Sequence, residues 1–80
     1  MTTTSRTAAA IRTLGTATTD LLDAAHELDT TAADLPEQHR LRLRALAIST
    51  ELTAQRMAAE LAAATDELRA AVQAWSGSRW

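Results

Sequence analysis

Leucines stand seven residues apart at Leu14, Leu21, Leu28 and Leu35, with Ile11, Thr18, Ala25 and Ala32 alternating between them. A 3,4 spacing of this kind lines one side of a helix and predicts that the helix lies along another. Ile11, Leu14, Leu21, Leu28 and Leu35 are therefore the expected hairpin seam. The period breaks at Ala33-Asp34-Leu35-Pro36-Glu37. Proline pushes the preceding residue out of helical geometry and suits the first turn of the next helix. Asp34 and Glu37 stand three apart, as in a capping box with Asp in place of Ser or Thr. The pattern predicts helix one over about residues 5–32, a turn at 33–36, helix two over about 35–75, and a flexible tail at 76–80. A turn this short makes antiparallel neighbours. The expectation is one all-α domain over 1–80, an antiparallel two-helix hairpin.

Helix two carries two apolar stripes. The longer holds Leu43, Leu46, Met57, Leu61, Ala64, Leu68, Val72 and Trp75 on one broad face. The second, Leu41, Ala45, Ile48 and Leu52, lies nearly opposite and only in the half near the turn. One neighbour covers one face, so two opposed faces call for two neighbours. Helix two, at about 60 Å, is also longer than helix one, at about 42 Å. Leu68, Val72 and Trp75 are thus expected to run past the start of helix one. Exposed apolar surface of this extent marks a partner site, so the hairpin is expected to assemble into a four-helix bundle or a larger helical oligomer. Partner-binding candidates are Leu41, Ile48, Leu52, Leu61, Leu68, Val72 and Trp75. Trp80, at the end of Ser76-Gly77-Ser78-Arg79, is a further anchor candidate. Gly15, counted outward from the turn, is expected near Ala54, as either a close-approach point or a tolerated kink.

Charge order supports the antiparallel pairing. Helix one begins with Arg6 and Arg12 and ends with Asp20, Asp23, Glu27, Asp29 and Asp34. Helix two begins with Arg40, Arg42 and Arg44 and turns acidic at Glu51, Glu60, Asp66 and Glu67. Each run opposes its own macrodipole but complements the antiparallel neighbour. Exposed pairs contribute only about 0–1 kcal/mol each, so they choose orientation more than they stabilise.

Composition narrows the class. The 80 residues include no cysteine, so there is no disulfide framework and no thiolate metal site. All basic side chains are arginine, a usage that suggests a bacterial or phage genome. The net charge of -2 does not mark a polyanion binder. No apolar run is long enough for a membrane span. The acid-free, Arg- and Thr-containing start resembles a transit peptide, but the seam runs through it in register. A cytoplasmic location is expected, with export without a cleaved leader left open.

Candidate chemistry is thin. Cysteine, lysine and tyrosine are absent, no glycine-rich loop exists for a phosphate, and no carboxylate occupies an apolar seam position. No enzyme activity, cofactor or metal is expected. Asp23, His26 and Glu27 give one Asp-x-x-His, whereas bundle metal sites need a counterpart on a second helix. His39, Arg40, Arg42 and Arg44 form the densest basic cluster and the basis of a nucleic-acid alternative, without aromatics for stacking. The first expectation is a non-enzymatic protein–protein interaction module, either a self-assembling scaffold or a small accessory, chaperone-like subunit that masks a partner's apolar surface. Its partner is a second copy or another helical protein.

Trp75-Ser76-Gly77 matches Trp-x-Gly, and a short cysteine-free helical hairpin resembles the WXG100 (ESX-type) proteins of type VII secretion. The resemblance implies antiparallel hairpins that pair as four-helix dimers, often with a different partner, and a role as a partner subunit of a secretion system. In that family the motif lies in the turn, whereas here it ends helix two. The tyrosine of the family's C-terminal signal is missing.

Overall fold

The computed structural model describes residues 2–77, with side chains through Trp75. It is an all-α helical hairpin of α1 (Thr3–Ala32) and α2 (Glu37–Gly77), packed along each other. Thr2, in extended conformation, caps α1 by accepting a hydrogen bond from the Ser5 amide at 3.3 Å. α1 therefore starts earlier than the apolar period requires. α2 continues through Ser76 and Gly77, where the sequence pattern places the start of a flexible tail.

At the turn, the Asp34 amide donates to the Thr31 carbonyl and the Leu35 amide to that of Ala32. The Pro36 carbonyl then accepts from the His39 and Arg40 amides, at 3.0 and 2.9 Å, and opens α2. The expected capping box is corrected here. Pro36 occupies the position before the first helical residue, which leaves Asp34 two residues too early to cap.

Threonine is a weak helix former because its hydroxyl competes for the backbone and its branch stiffens χ1. In α1 that hydroxyl bonds within the helix instead. Thr7, Thr13, Thr16, Thr18, Thr19, Thr30 and Thr31 each donate to the carbonyl four residues back. Thr18 shows why this matters. It is buried between the helices, and its 2.7 Å bond to the Leu14 carbonyl leaves no polar atom unsatisfied.

The seam differs from the expected one by a rotation of α1. The buried residues are Thr18, Ala25 and Ala32 on α1 with Ala47 and Ala54 on α2, none more than 4% exposed. Beside them on α1 run Ala8, Ile11, Gly15, Leu22 and Asp29, all half-buried. Ile11 thus belongs to the seam. Leu21 and Leu28 stand half-buried on its flank, while Leu14 and Leu35 are 49% and 41% exposed. The facing row on α2 is Arg40, Leu43, Thr50, Met57, Leu61, Ala64 and Leu68, again at 3,4 spacing around the buried alanines. Small residues fill the middle of the contact and the leucines border it. No large side chain is fully buried among the described residues.

The register also shifts. Leu14 borders a groove with Met57, Leu61 and Ala64, and Ala8 and Ile11 border one with Thr65 and Leu68. Gly15 therefore lies well past Ala54. A Cβ built on Gly15 meets nothing within 4 Å, so no close approach requires this glycine. The offset arises at the turn. Ala32 is buried, but Glu37, Gln38 and His39 are exposed, and the first half-buried residue of α2 is Arg40. The same shift brings Leu68 beside Ala8 and Ile11, so it packs on α1 and does not overhang it.

Candidate interaction surfaces

Two apolar strips remain outside the seam. The first is on α1, where the flanking leucines continue into the exposed Ala10, Ala17 and Ala24. Read along the chain, Ala10, Leu14, Ala17, Leu21, Ala24, Leu28 and Thr31 repeat on α1 with their own 4,3 spacing, and Leu35 follows in the turn. α1 thus carries two heptad rows side by side, one against α2 and one open. Glu60 joins Leu14 at the groove edge. Leu46, two heptads before Glu60, lies on that same side of α2 and is exposed. The alanine half of this row was overlooked in the sequence, although its spacing was the available signal. Alanine contributes little to an apolar pattern until the leucines beside it are known to face outward.

The second strip is the back of α2. Leu41, Ile48 and Leu52 are 60%, 53% and 61% exposed, with Ala45 among them. Their 4,3 spacing keeps them together on the side away from α1. Val72 and Trp75 are also exposed, at the far end of the hairpin. Leu61 and Leu68 instead turn toward α1 and are half-buried there. Trp80 lies outside the described residues.

The charged groups are dispersed. Arg44 pairs with Asp29 across the two helices at 2.9 Å, an exposed contact with the expected antiparallel polarity. Asp66, expected to serve the other end in the same way, pairs with Arg69 on its own helix. Arg40 enters the seam row, Arg42 is exposed and Arg44 is engaged with Asp29, so the three do not form a single patch. Asp23, His26 and Glu27 are exposed on α1. Among the described residues no three His, Asp or Glu side chains gather where one metal ion would sit, and no helix is long and apolar enough to cross a membrane.

Comparison with known protein families, curated proteins and solved structures finds no match for this chain.

Proposed function

We propose that this chain is a non-enzymatic helical interaction module, working as a self-assembling scaffold or as a small subunit that covers a partner's apolar surface. One observation carries the reading: the buried core is alanine and threonine, while the large aliphatic side chains border it or face outward. Burial stabilises by roughly 25 cal/mol per Å² of apolar area, and an alanine supplies little of that area. A hairpin built this way depends on what covers its leucines. The contact residues are Leu14, Leu21, Leu28, Leu35 and Leu46 on one side and Leu41, Ile48 and Leu52 on the other. Leu61 and Leu68 are assigned to the hairpin itself.

The test is circular dichroism and thermal melting of the purified chain over a wide dilution series. Helicity and Tm that fall with dilution support folding coupled to self-assembly. Weak helicity at every concentration supports a module whose folding waits on a different protein. A helical single chain with a dilution-independent Tm overturns the reading.

A further inference from the structure

We infer that the open row on α1 is filled by the same row of a second copy, lying antiparallel. The inference rests on the interaction-module reading and names the partner.

Size complementarity is the first ground. The row alternates small and large: Ala10, Leu14, Ala17, Leu21, Ala24, Leu28. About a two-fold axis at the level of Thr19, Leu14 meets Ala24 of the second copy, Leu21 meets its Ala17, and Leu28 meets its Ala10. Each leucine enters a space left by an alanine, and the contact is isologous. A parallel pairing sets leucine beside leucine and alanine beside alanine, which leaves the small layers unfilled.

Layer matching and charge together set the register. The row's solvent edge on α1 is Arg6, Thr13, Asp20 and Glu27, spaced by sevens and all exposed, with the exposed Asp34 following in the turn. With the axis at Thr19, Arg6 lies toward Asp34 of the second copy at both ends of the contact, Thr13 faces its Glu27, and Asp20 meets its own mate. Sliding by one heptad toward the turn sets Asp20 against Glu27 twice and separates Arg6 from Asp34, and sliding the other way leaves Leu28 opposite Thr3 where this register gives it an alanine. Arg6 already borders a shallow surface groove with Thr3, Thr7 and Ala10, at the end of the row.

Area is the third ground. The chain exposes 6290 Å², whereas a compact monomer of 8.6 kDa exposes about 4,700 Å². The excess, about 1,600 Å², exceeds the roughly 800 Å² that one partner contributes to a standard interface. One such contact fits within the excess and leaves the back of α2 open.

The absence of cysteine makes a single introduced thiol a clean probe. Asp20→Cys stands next to the two-fold axis and should be joined to its mate by a short bifunctional maleimide. Asp34→Cys lies about 45 Å from its mate in this arrangement and should not be joined. Arg6→Asp should weaken dimerisation by roughly tenfold, and adding Asp34→Arg should restore it. Equal crosslinking at both positions means a parallel pair and overturns the inference. A dimer that crosslinks at neither position uses another face, with the same consequence. A chain that stays unfolded alone overturns the second copy as occupant but leaves the module reading standing. A stable helical monomer overturns both.

Discussion

At the scale of single residues, the contact between α1 and α2 is decided by size. Ala25, Ala32, Ala47 and Ala54 sit where the helices meet, and Ala54 has no accessible surface left. Extra methylenes there have no space to enter, and overpacking of this kind costs about 1–3 kcal/mol. Ala54→Leu is expected to destabilise the fold by that amount, although leucine is a good helix former and more apolar. Gly15 is the opposite case. It is helical, without a positive φ, and open space surrounds a Cβ placed on it. Gly15→Ala should therefore stabilise by about 1 kcal/mol from helix propensity alone. Denaturant titration of both variants checks the pair. A loss of stability at Gly15→Ala would show that the helices approach more closely there than the structure places them.

At the scale of elements, two helices and their break were legible because Pro36 interrupts a period that is regular on both sides. The rotation of α1 was not. Leucine dominates any hydrophobic pattern, so the leucine row stood out as the seam. A close helix pair instead places its small residues centrally and its leucines on the flank. Ala25 and Ala32 stand in the sequence pattern as alternating positions, but nothing in that pattern marks Ala8, Gly15 and Leu22 as the row beside them. The exposure of Leu41, Ile48 and Leu52 on the back of α2 was legible, since they oppose the longer stripe whatever its register. The place of Leu68 is not legible, because counting from a symmetric turn puts it past the start of α1, whereas the first residues of α2 are exposed and burial begins at Arg40. Polarity was legible in the charge order, and Arg44–Asp29 realises it. That exposed pair orients the helices but binds them weakly. A double-mutant cycle on Arg44 and Asp29 should give a coupling below about 1 kcal/mol that shrinks as salt is added. A larger, salt-insensitive coupling would mean the pair is shielded by a neighbour.

At the scale of the whole molecule, the hairpin is a thin rod with Cα extents of 66 × 20 × 12 Å. A shape one helix deep has no interior for large side chains, so its leucines remain at the surface until something is laid over them. A second layer would complete a four-helix arrangement in which α1 uses both of its heptad rows. Chains of this size seldom gain enough from one core to be stable alone, and association is a common remedy. The assembly proposed above would complete this fold. Light scattering coupled to size-exclusion chromatography reads it out. A discrete helical species of twice the 8.6 kDa chain mass, dissociating with loss of helix on dilution, is the expected outcome. A compact, fully helical species at the single-chain mass that persists on dilution would contradict it.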